Sequence, residues 1–263
     1  MLQVPPSKPI LPGFPETPSV RLARTPLKSM LCQAKFPLRS EFATAEAPSK
    51  VQEMLAGKLP RLLQEPQATL LLGPTGIQTQ SSTVWRLTTF DQTWSVLLAQ
   101  DAVTIETTAY VDWPDFRARF IEAVEAVAKV VPISARERIG LRYVNEVRAG
   151  VNPNWAEFIN SDLLGWAGNP KLTHDLAHHI AEARYAVDEY LVIFRYGQVR
   201  PAIPSTDAAP PFYLLDIDCS DNRAAPFELD STVETLDRFN EAIWRLFRWT
   251  LADPYFEKLK EGN

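Results

Sequence analysis

The sequence predicts an α+β fold: a mostly antiparallel sheet covered by long amphipathic helices, made of two similar strand-helix-three-strand-helix units about a pseudo-twofold axis. Three observations carry this. First, Arg138–Val147 alternates, with Ile139, Leu141, Tyr143, Asn145 and Val147 on one side and Arg138, Gly140, Arg142, Val144 and Glu146 on the other. That is a strand with one apolar face and one charged face. Second, Thr83–Phe90, Thr93–Ala99 and Ala102–Tyr110 are joined only by Asp91-Gln92 and Gln100-Asp101, so they read as a meander. Third, a long helical pattern follows each group of strands, and each carries an apolar stripe.

Residues 1–26 hold seven prolines, which favours an extended N-terminal arm, either loosely ordered or docking a partner. Leu31–Phe36 makes a short strand closed by Pro37. Ser49–Leu63 has helical spacing at Val51, Met54, Leu55, Leu59, Leu62 and Leu63, with Ser49 as N-cap and Pro60 kinking or splitting the helix. The apolar run Ala68–Leu72 precedes the turn Gly73-Pro74-Thr75-Gly76. After the meander, Asp112 caps a helix facing inward through Phe116, Phe120, Val124, Val127 and Val131, and Pro132 ends it. Past the central strand, Asn154–Leu164 reads as a short helix, and His178–Val187 with Glu189–Gln198 as a hairpin. A proline-rich loop (Pro201, Pro204, Pro210, Pro211) leads to the strand Phe212–Cys219. In the last helix Ser231 and Glu234 form a capping box ahead of Val233, Leu236, Phe239, Ile243, Leu246, Phe247 and Leu251. The body after the arm thus divides into Leu27–Val131 and Arg136–Ala252, alike in element order though not in residues.

Composition excludes more than it assigns. A chain of 263 residues removes roughly 75% of its unfolded surface from water, enough for a core without staples. The net charge of −5 disfavours a non-specific nucleic-acid binder, which needs a basic stripe. Two distant cysteines, Cys32 and Cys219, fit a reducing cytosol and suggest neither disulfides nor zinc. No apolar stretch is long enough to span a membrane, and the expectation is a cytoplasmic protein.

The candidate site residues are the polar ones on strands: Glu106, Arg142, Asn145, Arg195, Asp216 and Asp218. A carboxylate and a guanidinium on facing strands can pair or bind a polar ligand, and on a solvated face they can equally form cross-strand ion pairs. Asp216-x-Asp218, with Asp221 beyond, resembles an oxygen-ligand cation site, although turn and cap roles suit such aspartates as well. His174 and His178 have the spacing of a metal pair on a helix, but no glutamate or cysteine accompanies them. No Gly-x-Ser-x-Gly elbow and no phosphate loop occurs. No catalytic set and no metal or other cofactor is therefore called for. Of the seven tryptophans, Trp244 and Trp249 sit on the last helix, where Trp249 flanks the stripe and could mark a homodimer contact.

Several motifs occur in order: Pro26-Leu27, Ala34-Lys35-Phe36-Pro37, Gly73-Pro74-x-Gly76-x-Gln78, Trp85-Arg86, Ile105-Glu106-Thr107, Trp113-x-x-Phe116 and Arg138-Ile139-Gly140-Leu141-Arg142-Tyr143-Val144-Asn145. With Asp216-Ile217-Asp218 and the last helix, they resemble a sporadically distributed, uncharacterised prokaryotic family of about this length, most specifically through the GLRYVN strand. Similar proteins carry a histidine beside the glutamate of the last helix, where this chain has Asn240 before Glu241. The resemblance implies no activity. Its patchy distribution suggests a mobile defence or toxin–antitoxin cassette. The expectation is a non-enzymatic binding or regulatory protein, holding a small polar ligand or a co-encoded protein in a polar groove between its units. The alternatives are a metal-dependent nuclease or phosphoesterase using Asp216 and Asp218, and an obligate subunit of a complex using the arm and Trp244 and Trp249.

Overall fold

Strand formation follows the alternation of burial. In the computed structural model, which describes residues 9–73, 76–173, 176–201 and 210–262 (backbone alone for 67–73, 76–82, 170 and 173), buried and more exposed residues alternate along Met30–Lys35, Leu141–Arg148 and Tyr190–Arg195. In chain order they are β1 Leu27–Lys35, β2 Arg61–Gly73, β3 Gly76–Thr88, β4 Trp94–Ala99, β5 Ala102–Thr107, β6 Ala135–Arg136, β7 Arg138–Arg148, β8 Ala181–Val187, β9 Tyr190–Val199, β10 Phe212–Asp221 and β11 Ala225–Pro226. The helices are α1 Glu46–Leu55, α2 Trp113–Val130, α3 Pro170–Thr173, α4 Leu229–Thr250 and α5 Asp253–Glu261. Nine strands form a mostly antiparallel sheet in the order β2-β3-β4-β5-β1-β7-β10-β9-β8, and β6 pairs with β11. This is an α+β protein. The chain divides into two compact units: unit I, Leu31–Gly140 with Asn222–Val233, and unit II, residues up to Met30 with Leu141–Asp221 and Glu234–Asn263.

In unit I the inner face of the sheet carries Trp85, Leu87, Val96, Leu98, Val103 and Ile105, all buried. Against it α2 packs Phe116, Phe120, Val124 and Val127. Asp112 caps α2 as expected, its side chain accepting from the Asp115 amide at 2.9 Å. The Asp91-Gln92 turn places Gln92 at φ 57, the left-handed conformation of a tight hairpin.

Two expectations for unit I change. Helix α1 begins at Glu46 rather than at a Ser49 cap, because Pro48 is tolerated in a first turn, where amides lack helical partners anyway. Pro60 does more than kink that helix. It lies beyond the helix end at Leu55, and Leu62 and Leu63 belong to β2, paired with Leu87 and Arg86 of β3. The apolar run before Gly73 is the outer part of that long hairpin, and its turn residues, Pro74 and Thr75, lie outside the described residues.

In unit II α4 covers Tyr213, Leu215, Ile217, Val192 and Phe194 with Leu236, Phe239, Ile243, Leu246 and Phe247. Tyr190 meets Phe239 edge-on at 5.4 Å, and the Tyr143 hydroxyl donates to Asn240 Oδ1 at 2.8 Å. The capping box is absent. Helix α4 starts two residues before Ser231, whose hydroxyl donates to the Glu228 carbonyl instead. Asn154–Leu164 forms two 3-10 turns, Trp155–Glu157 and Ser161–Leu163, rather than one helix. They seat Trp155 in the core, where Nε1 donates to Gln198 Oε1 at 2.6 Å. The first strand of the hairpin starts at Ala181, three residues later than expected. There Gly197 of β9 has φ 146, and a Cβ on it would lie 1.8 Å from the His179 carbonyl oxygen. Only glycine allows the chain to pass that closely.

The arm, from residue 9 to Pro26, is docked rather than loose. Ile10 and Leu11 are buried, and Phe14 meets Trp249 at 5.1 Å and Tyr185 at 6.0 Å, both edge-on. Trp244 Nε1 donates to the Thr17 carbonyl at 3.2 Å, and the Arg24 amide donates to the Leu259 carbonyl at 3.0 Å. Extended proline-rich backbone suits such docking, since it has little conformational freedom to lose.

Candidate functional site

Strand order turns four separate side chains of unit II into one row. Antiparallel register sets Asp216 of β10 opposite Arg195 of β9, and Arg195 opposite Glu182 of β8. Strand β7, on the other side of β10, contributes Arg142. The row reads Arg142, Asp216, Arg195, Glu182, and all four lie on the face away from the α4 core.

The contacts follow that order. Arg142 grips Asp216 with two parallel bonds, Nε to Oδ1 and Nη2 to Oδ2, each 2.7 Å, the bidentate geometry of a strong pair. Arg195 adds Nη1 to Asp216 Oδ2 at 3.3 Å and Nε to Glu182 Oε2 at 2.7 Å. Arg184 closes the end through Glu182 Oε1 at 2.6 Å. The Asp216 side chain is only 3% exposed, while Arg142 keeps 38% and Arg195 32%. A buried carboxylate thus orients two guanidiniums whose outer edges reach water. The hydrogen bond to Asp216 raises the Arg142 pKa beyond its ordinary value, against the pull of desolvation, so the cation is fixed. Around the row lie half-buried Val144, Leu191, Ile193, Phe212 and Leu214.

The remaining candidates fall elsewhere. Asn145 lies on the core face, as the alternation expected, and its Nδ2 donates to the Leu215 carbonyl at 3.2 Å. It satisfies backbone in the interior and does not join Arg142. Asp218 shares the outer face of β10 with Asp216, whereas Asp221 points to the opposite face and is buried. The three aspartates therefore do not converge. Both Asp216 oxygens are already taken by arginine, which leaves a cation no free pair of ligands there. Among the described residues no cluster of three His, Cys, Asp or Glu could hold a metal, and His174 of the proposed pair lies outside them.

Glu106 belongs to unit I, in a cluster of reversed sign. Arg86 of β3 donates from Nε to Glu65 Oε1 of β2 at 2.6 Å and from Nη1 to Glu106 Oε1 of β5. The Glu65 hydrogen bond is the first cause of a raised Arg86 pKa. Nearby, Gly140 leaves room for the Arg138 guanidinium, whose Nη1 would sit 2.5 Å from a Cβ, while that Nη1 donates to Gln33 Oε1 at 3.3 Å. Sequence reasoning missed Glu65, Arg86 and Glu182 as partners. The signal available was alternation, which puts each on an outer face, but partner choice depends on register between strands distant in sequence.

No family model matches the chain, and no curated protein matches it. No described helix is long and apolar enough to cross a membrane.

Proposed function

We propose that the protein is a non-enzymatic binding protein that recognises a partner through the outer face of the unit II sheet. The carrying observation is the inversion of exposure at the row: the carboxylate of Asp216 is buried, and the two arginines it orients are each about a third exposed. Held guanidiniums lose little side-chain freedom on binding, so they make efficient anchors for a carboxylate. The surrounding aliphatic side chains and Phe212 give the mixture of arginine and apolar surface found at protein interfaces, which favours a co-encoded protein over a small polar ligand. The engagement of both Asp216 oxygens argues against the nuclease or phosphoesterase alternative. The docked arm, whose Phe14 meets Trp249, argues against Trp249 as a homodimer contact.

The wider setting belongs to the same proposal. The motif order supports kinship with the prokaryotic group bearing the GLRYVN strand and a role in a mobile cassette. The recurrence of strand, helix or helical turns, strands and long helix supports an internal duplication.

The test is a thermal-shift screen of polar metabolites and neighbouring gene products against native protein and Arg195→Gln. Stabilisation of the native chain by one of them, lost in Arg195→Gln, is expected. A partner that stabilises both equally, or no stabilisation by any, overturns the reading.

A further inference from the structure

Unit II also holds a recess of about 520 Å³ whose lining includes no residue of the sheet. Such a volume lies in the range of small-molecule sites and exceeds what a few waters fill. Its walls come from three places: Thr17 of the arm, Ser161 of the 3-10 turns, and Arg245, Arg248 and Trp249 at the end of α4.

The charge arrangement there is unusual. Arg245 is a buried cation, its side chain 9% exposed. One partner is Glu241, a turn earlier on α4, at 2.5 Å. The other is Glu16 of the arm, at 3.4 Å, with a side chain 83% exposed. Both contact Nη2 and neither engages Nε or Nη1. The strong partner is therefore intrinsic to the helix, and the weak one is a wet carboxylate delivered by a separate segment. Arg248 beside it spends Nη1 on the Leu251 carbonyl at 3.3 Å and Nη2 on Asp253, which is itself exposed. Trp249, braced by Phe14, supplies an apolar wall.

We infer that this recess binds a small organic anion through a carboxylate or phosphate head, with Arg245 as anchor and Glu16 as a built-in competitor for the same guanidinium. Exchanging Glu16 for the head group swaps one anion for another, so the buried cation is never left unbalanced. The incoming head pairs Nη2, released by Glu16, with the adjacent Nη1 or Nε that Glu16 does not reach, the fork geometry suited to carboxylate and phosphate. Ser161 and Thr17 supply hydroxyls for the rest of the molecule, and the arm forms part of the wall. This site is independent of the sheet face proposed above.

Calorimetric titration of the full chain with inorganic phosphate and with citrate, at low ionic strength, tests this. At least one of the two should bind, and Glu16→Gln should bind it about two- to fivefold more tightly, the worth of an exposed ion pair. Arg245→Lys, which keeps the charge and loses the fork, should weaken it about tenfold or more. Arg195→Gln on the sheet should leave it unchanged. Absence of binding by both anions to Glu16→Gln, or equal affinity in native and Glu16→Gln, overturns the proposal. So does loss of binding in Arg195→Gln. Because Glu16 is exposed, that comparison decides the matter even if Arg245→Lys fails to fold.

Discussion

Asp216 in unit II and Arg86 in unit I are the centres of two charge clusters with opposite signs. Asp216 is a carboxylate between two guanidiniums, and Arg86 is a guanidinium between two carboxylates. Their exposure differs more than their chemistry. The Asp216 side chain is 3% exposed, whereas Glu65 and Glu106 keep 40% and 37%. A carboxylate out of water depends on its partners, and one in water does not. The two clusters look alike as lists of ion pairs and should behave very differently when a member is removed.

The largest effect is expected at Arg142. Arg142→Ala strips the bidentate partner from a buried anion and leaves only the longer Arg195 contact, a change that costs about 3 kcal/mol in comparable cases. Asp216→Ala should cost less, about 1–2 kcal/mol, because two partly exposed guanidiniums can turn to water. Urea unfolding of both variants measures this directly. Equal losses would mean that Asp216 is hydrated in solution, and the contrast with unit I would vanish.

What the chain revealed in advance divides along the same line between local and non-local physics. The alternation of β7, the meander turns and the Asp112 cap were legible because each is decided within a few residues. The outer-face placement of Arg142, Arg195 and Asp216 followed from the two-residue period. Their union did not, since β7, β9 and β10 are neighbours only through strand order. Glu65 and Arg86 escaped for the same reason, being partners across a hairpin read as two pieces. Ser231 and Glu234 misled because a serine three residues before a glutamate looks the same one turn inside a helix as at its start. Proline content announced an extended arm, yet nothing local says that Phe14 lands on Trp249.

In unit I the corresponding test is Arg86→Ala, with an expected loss of no more than about 1 kcal/mol. Glu65 and Glu106 are already hydrated, so their release from Arg86 leaves no buried charge. Raising the salt concentration should shrink even this difference, because exposed pairs are screened. A loss near that of Arg142→Ala, unaffected by salt, would show that exposure does not rank these clusters.

The smallest lever is the thiol in each unit. Cys32 and Cys219 are fully buried, and burial pushes both above the ordinary thiol value of 9.0. Neighbouring charge then acts in opposite senses: the Arg138 cation pulls Cys32 back down, and the Asp218 anion pushes Cys219 further up. For a thiol raised in the folded state, the protonated form is favoured by folding. Its contribution is complete below the unfolded value and is lost as pH climbs through the folded one. Stability should therefore decline from about pH 9 upward through these groups, and Cys32→Ala with Cys219→Ala should delay that decline toward the tyrosine range. Alkylation under native conditions separates the two thiols. As pH is raised, Cys32 should react before Cys219, since the thiolate is the nucleophile and forms more readily beside a cation. Mass-spectrometric mapping of iodoacetamide adducts between pH 8 and pH 10 reads the order. The reverse order would mean that access through local opening, rather than the sign of the adjacent charge, governs reactivity in both units.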